Sequence, residues 1–582
     1  MLVLSIYQAT ADGNSCNQDS STHSKQGSWP KENTFENVDK HHPVRRGGFP
    51  KSVGNVWPLP QFIQSTGDFM IIRPGEFQFT PTSKSCDIMS NAFARYYKMI
   101  FSPPRGGVKG TMRKPGTKAV YLSPEWRTNF VGVLNELQVK LDSPCATMPS
   151  ADMDEQYVLK INTPDLANTA LLCSQSIWGI LRGLETFSQL VHQNEDGLFL
   201  VNTTSIRDYP RFSFRGVMLD TSRHYMHKSI IKENLEAMAQ NKFNVFHWHI
   251  VDDQSFPYES STFPSLSEKG AFHPYTHTYT LDDVTEIIEF ARIRGIRVIA
   301  EFDSPGHTQS WGLGIDKLLT QCYKNDSGKL VPNGFGPIDP TVESTYQTLT
   351  KLMAEIVKVF PEKYVHLGGD EVSFNCWESN PLVKEFMIKQ KFGDDYSKLE
   401  QYYMQRLLDI VASFPTKNNY IIWQEVIDNG AVVKPDTVVE IWKSPFKDEM
   451  AKVTSKGYKV LLSACWYLNY ISYGIDWPTF YACEPFDFNG TAQQKQLVMG
   501  GEACMWGEYV DGTNLTPRLW PRAAAVAERL WSDQKVNDSN AAAPRFEEHR
   551  CRMLTRGIDA EPSNGPGYCN VDHRIRKSTY FN

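Results

Sequence analysis

Short apolar runs recur through the last two-thirds of the chain, beginning near Ser213, Asn244, Arg297, Tyr364, Tyr420, Val438, Lys459 and Leu497. Each is the length of a strand. Between several of them lie amphipathic helices: Ile231, Leu235 and Met238 share a face, as do Val284, Ile287, Ile288 and Ala291, and Leu349, Leu352, Met353, Ile356 and Phe360. Strands alternating with helices predict a parallel sheet, and eight such runs predict a closed (β/α)8 TIM barrel. The interval between the fifth and sixth runs is too short for a full helix. An open doubly wound sheet is the rival, but it carries a Gly-rich phosphate loop after its first strand. Here the first run ends in Asp220-Thr221-Ser222-Arg223 instead.

Upstream the pattern changes. Residues 1–54 are rich in Ser, Asn, Gly, Lys and His without apolar periodicity, and read as a flexible leader in which His41-His42 is a solvated tail. Residues 55–207 mix strand-like pieces such as Tyr157–Ile161 with helical runs, one of which aligns Ile177, Ile180, Leu181 and Leu184. This predicts a smaller α+β domain preceding a catalytic barrel over 208–582.

The composition of the 582 residues fits a large enzyme: 41% hydrophobic, 22% charged, net charge −6. The acidic balance disfavours nucleic acid as a partner, and no apolar run reaches the roughly 18 residues of a membrane span. Eleven cysteines without a CxxC pair argue against a zinc ribbon. Together with sequons at Asn202, Asn325, Asn489, Asn514 and Asn537 they favour the secretory route. Asn514, close to Trp506 and Glu508, is expected to be bare. The start, Met1–Tyr7, lacks the basic and apolar regions of a good signal peptide.

The working residues of such barrels sit at the C-terminal ends of the strands. The first four runs end in Asp220 and Arg223; Asp252-Asp253; Glu301 and Asp303, followed by His307; and Asp370-Glu371. The next four end in Trp423-Gln424-Glu425, Trp442-Lys443, Trp466-Tyr467 and Trp506-Gly507-Glu508. Any one of these groups could be structural, because a strand-end carboxylate caps helices and a Trp fills cores. Their recurrence at one rim is harder to explain by packing, since unpaired charges are costly to bury. Carboxylates with tryptophans indicate sugar chemistry: indole faces stack on pyranose rings and acids donate protons. No metal or other cofactor is expected. There is no HExxH, and His247-Trp248-His249 offers two imidazoles without a clear third ligand. The run Arg292–Arg297 reads as a solvated helix end.

The sharpest signal is His366-Leu367-Gly368-Gly369-Asp370-Glu371. Two glycines let the strand end turn tightly. Neighbouring carboxyls on such a turn are poorly placed to flank a glycosidic bond as acid and protein nucleophile, which needs a separation of roughly 5–5.5 Å across it. They suit another division of labour, in which one protonates the leaving group and the other steers a nucleophile within the substrate.

These residues carry a resemblance. Phe214–Arg223, His247–Asp253, Pro305-Gly306-His307, Gly368–Glu371 and Gly501–Glu508 occur in the order found in β-N-acetylhexosaminidases of glycoside hydrolase family 20, of the animal lysosomal type. The chain is similar to that family from about Val56 to Asn570. The resemblance implies a retaining exo-hydrolase that removes terminal GlcNAc or GalNAc from glycoconjugates or chito-oligosaccharides through an oxazolinium intermediate, the family's substrate-assisted route. It implies Glu371 as general acid and base, Asp370 on the acetamido N–H, Tyr467 on its carbonyl, and Trp423, Trp442 and Trp506 around its methyl. Arg223 and Glu508 match positions that hold sugar hydroxyls, and Asp252 with His307 matches a dyad supporting Glu371. Disulfides Cys86–Cys145, Cys322–Cys376 and Cys551–Cys569 are implied, with five cysteines unassigned. A homodimer in contact near the C-terminal part of the barrel is also implied, as is lysosomal delivery with secretion as the alternative.

After Tyr467 the chain reads Leu468-Asn469-Tyr470. In the two vertebrate subunit types the last two positions are Asp-Leu or Asn-Arg, the latter favouring anionic sugars. Tyr470 in place of Arg predicts a preference for neutral sugars. Two rival readings stay open: a non-catalytic carbohydrate-binding protein on a similar barrel, and a hydrolase using a protein nucleophile such as Glu508. Asn202, Asn325, Asn489 and Asn537 stand as glycosylation candidates, and a lipid-presenting activator is left undetermined.

Overall fold

A computed structural model describes residues 52–82, 85–101, 128–194 and 197–569. Most of the expected leader, with His41-His42, lies outside them. Its last residues do not run free: the Ser52 hydroxyl and the backbone N–H groups of Val53, Gly54 and Asn55 all donate to Glu548 Oε1.

Eight parallel strands close the barrel: Phe214–Asp220, Val245–Val251, Arg297–Phe302, Tyr364–His366, Asn419–Trp423, Val438–Ile441, Lys459–Leu462 and Val498–Met505. They coincide with the eight apolar runs, because strands covered by helices outside and side chains inside are buried on both faces. The fifth and sixth strands are joined through one helical turn, Glu425–Asp428. Inside, side chains alternate by twos. Phe214, Val245, Ile299, Tyr364, Ile421, Val438 and Leu461 form an apolar plug near the N-terminal ends. Two residues further along their strands come His247, Glu301, His366, Trp423 and Glu440, all buried. Another two bring His249, Asp303, Glu425 and Trp442 to the rim.

The smaller domain is one sheet, ordered Gln78–Pro81, Glu136–Leu141, Ala170–Ser174, Tyr157–Ile161, Phe199–Asp208, Phe62–Ile72 and Phe130–Leu134, with His192–Gln193 paired beside Phe199–Asp208. Helices Asp87–Phe101 and Ile177–Leu190 pack together against it. By its sequence the second helix has one apolar stripe, yet all of its residues are buried. It lies between the sheet and the barrel, and its polar face is satisfied there. Arg182 donates to the carbonyls of Arg294 and Gly295, and Gln189 to those of Trp57 and Gln240. Glu155 joins Arg182 at 2.8 Å and Arg215 at 2.6 Å, so a buried ion triad fixes the smaller domain under the first barrel strand.

The expectation that Arg292–Arg297 is a solvated end is corrected. Arg297 is buried against Glu362 at 2.6 Å, and Arg294 against Glu236 at 2.7 Å. A run of basic residues at a helix end looks solvated until the partners, distant in sequence, are known. Disulfides join Cys86 to Cys145, Cys322 to Cys376 and Cys551 to Cys569, and a further one joins Cys465 to Cys483. Asn325, Asn489 and Asn537 are exposed, whereas Asn202 is half-buried and donates to Thr66 O. Asn514 is half-buried too, donating to Tyr509 O and accepting from Asp511 N–H.

Candidate active site

The fourth strand is only three residues long, and it runs into a turn made by glycine. Gly368 (φ +67°) lies so close to Asp303 that an added Cβ would fall 1.6 Å from its Oδ1. At Gly369 (φ +98°) a Cβ would meet Val426 at 2.4 Å. Gly369 N–H donates to Asp303 Oδ1 at 2.8 Å, which anchors the turn on the third strand. Glu371 itself takes a positive φ of +50°. The outcome is two neighbouring carboxyls with opposite surroundings: the Asp370 side chain is 9% exposed and that of Glu371 57%.

His307 connects them. It comes after the third strand, and its Nδ1 lies 3.3 Å from Asp252 Oδ1. Its Nε2, itself buried, lies 3.6 Å from Asp370 Oδ2 and 3.7 Å from Glu371 Oε2. Burial opposes the charged imidazole, but the hydrogen bond with Asp252 and the negative charge of Asp370 outweigh it and raise the His307 pKa to about 11. Burial would likewise raise Asp252, yet hydrogen bonds from His249 and His307 and the charge of Arg223 hold it well below the usual carboxylate range. Asp303 goes the other way: burial and then the negative charge of Asp370 keep it protonated.

Arg223 is fastened from several sides. It pairs with Asp220 at 2.9 Å and Asp252 at 2.9 Å, stands 3.7 Å from Glu508, and lies 4.9 Å from the centroid of the Trp506 ring. The guanidinium therefore stays in one place at the rim. Glu508 is half-exposed beside it.

The aromatic residues meet in one pocket. Trp442 stacks on Tyr467 with ring centroids 5.9 Å apart and planes at 17°. Trp506 stands 6.4 Å from Tyr467 and 6.0 Å from Trp423. Indole N–H groups lock two of the walls, Trp423 to Glu301 Oε1 and Trp442 to Glu425 Oε2, both at 2.7 Å. Tyr467 is placed by a bridge to Cys504 on the eighth strand. Asn469 is next but one, half-buried, and Tyr470 stands exposed with its ring 5.6 Å from that of Tyr467. Beside Glu371 and His307 opens a cleft of about 570 Å³, lined also by Gln309, Tyr323, Phe335 and Asn375. The structure thus brings Asp370, Glu371, His307, Asp252, Arg223, Glu508 and the aromatic group to one rim.

Beneath them is a charged layer of which the sequence singles out Glu301 only as a strand end and His247 and His249 only as an incomplete ligand set. Glu301 lies 3.0 Å from His247, 2.5 Å from His249 and 3.3 Å from His366. His249 continues to Asp252 at 2.8 Å. Burial would neutralise Glu301, but its three imidazole neighbours hold it ionised, and burial together with Glu440 raises Glu502 to about 7. The signal for this layer was present as charged residues spaced by two along otherwise apolar strands. Among the described residues, donor atoms of His247, His366 and Glu440 come within 4.8 Å of one another. They belong to this network of alternating charges.

Similarity to known proteins agrees with the geometry. The profile described as "Glycosyl hydrolase family 20, catalytic domain" matches residues 212–534, and that of "beta-acetyl hexosaminidase like" matches residues 56–190. The chain belongs to glycosyl hydrolase family 20. It is 49% identical over 527 residues to the β-hexosaminidase subunit alpha of Bos taurus, covering 89% of this chain and 95% of that one. To the β-hexosaminidase subunit beta of Homo sapiens it is 50% identical over 524 residues, covering 89% and 90%. Among solved structures, the Flavobacterium johnsoniae chitobiase superposes with a TM-score of 0.71 at 27% identity, covering 86% of this chain and 73% of that one. The protein is a glycoside hydrolase with a TIM-barrel catalytic domain behind a smaller α+β domain, and its substrate is a carbohydrate. The non-catalytic alternative is not favoured. Among the described residues no helix is long and apolar enough to cross a membrane.

Proposed function

We propose that the protein is a retaining exo-β-N-acetylhexosaminidase that releases terminal β-linked GlcNAc or GalNAc, with the substrate's own acetamido group as nucleophile. The observation that carries this is the unlike pair on one turn: a buried Asp370 and an exposed Glu371, both facing His307. Glu371 gives its proton to the glycosidic oxygen as the C1–O bond breaks. The acetamido oxygen attacks C1, and Asp370 accepts a hydrogen bond from the amide N–H as positive charge grows on the oxazolinium ring. The Tyr467 hydroxyl donates to the attacking oxygen, while Trp423, Trp442 and Trp506 enclose the methyl. Glu371, now a carboxylate, takes a proton from water as it opens the ring from the face the leaving group vacated, so configuration is retained.

Arg223, Glu508 and Asn469 hold sugar hydroxyls in this reading, and Asp252 orients His307. Glu508 is a rim carboxylate beside a cation, which suits hydroxyl binding better than attack on C1. Its negative charge and the neutral Tyr470 support neutral sugars as the preferred termini of glycoconjugates or chito-oligosaccharides. The test compares aryl GlcNAc glycosides with aryl glucosides that lack the amide. A glucoside cleaved as fast as its N-acetylated counterpart overturns the reading.

The same likeness bears on assembly and location. The relatives are described as subunits, and Tyr470, Ile471, Tyr473 and Ile475 form an exposed apolar stretch beside the site. Both support a homodimer, which sedimentation at micromolar concentration tests. A lysosomal location, with secretion as the alternative, rests on the animal relatives and on the exposed Asn325, Asn489 and Asn537; glycosidase-sensitive mass at these sites would support it.

A further inference from the structure

We propose that the disulfide Cys465–Cys483 is a positioning device for Tyr467. It pins the loop that presents the phenol to the substrate amide, so that opening the bond weakens capture of the cyclised acetamide while the fold persists. This rests on the proposed role of Tyr467 as partner of the acetamido carbonyl.

The bond spans 18 positions and encloses Tyr467, Asn469, the exposed stretch 470–475 and the helix Trp477–Ala482. Cys465 lies two residues before Tyr467. Cys483 is buried, its carbonyl accepts Arg529 Nε at 3.3 Å, and the next residue, Glu484, is gripped by Arg211 and Arg529 at 2.5 and 2.6 Å. Arg529 belongs to the helix Arg522–Trp531, which is buried throughout. The cross-link therefore ties the approach to Tyr467 to a fully buried helix of the barrel wall.

Within one chain the loop's tip is exposed, Tyr470 by 64%, Ile471 by 74% and Tyr473 fully, and is tied through Ser472 to Asp476, which Arg522 pairs at 2.5 Å. Non-covalent anchors act at its base, where Trp466 Nε1 donates to Phe480 O, Cys504 bridges Tyr467, and Arg522 donates to Leu468 O. Segments with few buried contacts open locally at small cost, and a cross-link removes many of the open conformations. A phenol that must meet a forming charge tolerates displacement poorly.

The test compares C465A/C483A with C86A/C145A, which removes a disulfide of the smaller domain. Measured are the inhibition constant of a GlcNAc-derived thiazoline (a stable bicyclic mimic of the oxazolinium), kcat for an aryl GlcNAc glycoside, far-UV circular dichroism and Tm. In C465A/C483A the thiazoline is expected to bind about tenfold more weakly, with a comparable fall in kcat and an unchanged spectrum. In C86A/C145A only Tm falls. A folded C465A/C483A with wild-type thiazoline affinity and kcat overturns the proposal. Should that variant not fold, native wild-type enzyme is reduced with a phosphine and alkylated, and mass mapping selects molecules modified at Cys465 and Cys483. Unchanged thiazoline affinity in those molecules overturns it equally. Failure of the wild type to bind thiazoline would instead strike the oxazolinium reading itself.

Discussion

Asp252 Oδ1 sits 3.3 Å from His307 Nδ1, and this contact turns the other ring nitrogen toward the carboxyl pair. The ring carries a charge up to about pH 11, so its own deprotonation does not shape the activity profile near neutrality. Its Nε2 lies 3.6 Å from Asp370 Oδ2 and 3.7 Å from Glu371 Oε2, so one ring holds both carboxyls in register. His307→Asn should lower kcat by about tenfold or more through lost positioning. Steady-state rates on an aryl GlcNAc glycoside check it, and an unchanged kcat would uncouple His307 from the carboxyl pair.

Glu371→Gln keeps size and the turn but has no proton to give. Turnover should fall about a thousandfold or more, with thiazoline affinity within a few-fold of wild type. Near-normal kcat would remove Glu371 from the role of acid.

Asp303 is held neutral by burial and by Asp370, while its Oδ1 accepts the Gly369 N–H. Asparagine can supply the same acceptor without charge. Asp303→Asn should stay within about threefold of wild-type kcat/KM, whereas Asp303→Ala frees the Gly368-Gly369 turn and should lose about a hundredfold. Equal loss in both variants would mean that an ionised Asp303 is required.

Tyr470 lies at the mouth of the pocket, exposed and leaning on Tyr467. Tyr470→Arg brings a guanidinium beside Asn469, and a charge-assisted hydrogen bond of about 1.5 kcal/mol corresponds to roughly tenfold. The ratio of kcat/KM for a 6-sulfated over an unsulfated aryl GlcNAc glycoside should rise by that factor. An unchanged ratio would place anionic selectivity elsewhere.

Glu400 offers a stability test. Burial raises its carboxyl to about 8, against the hydrogen bond from Asn429. The folded state binds this proton more tightly than the unfolded chain does. Its contribution is therefore complete below about pH 4.5 and is lost as pH rises through about 8. Glu400→Gln, neutral at every pH, should match wild type near pH 4.5 and exceed it at pH 9 by on the order of 3 kcal/mol. Thermal melts at the two pH values read this directly, and identical wild-type and variant curves at pH 9 would refute it.

The barrel could be read from the chain because each strand is buried on both faces and so appears as an apolar run between helical stretches. The carboxylates and tryptophans at the ends of those runs were visible for the same reason, since a strand's end marks the rim. Less visible were Glu440 and Glu502, and the role of Glu301, whose charges look misplaced in apolar runs until His247, His249 and His366 are brought to them across the barrel. Arg294 and Arg297 misled in the opposite direction: their partners Glu236 and Glu362 are far along the chain. The Cys465–Cys483 pair was equally hidden, because spacing does not dictate pairing.

What the sequence determined by itself was the periodicity of elements and the chemical types offered at their ends; both are local properties, fixed by backbone geometry and by which side chains water rejects. Tertiary structure alone decided which Asp is neutral and which ionised, how His307 reaches both Asp370 and Glu371, and what holds Tyr467 in place. Those depend on distances between strands remote in the chain, where a few ångströms in a poorly solvated interior change the sign of an electrostatic effect.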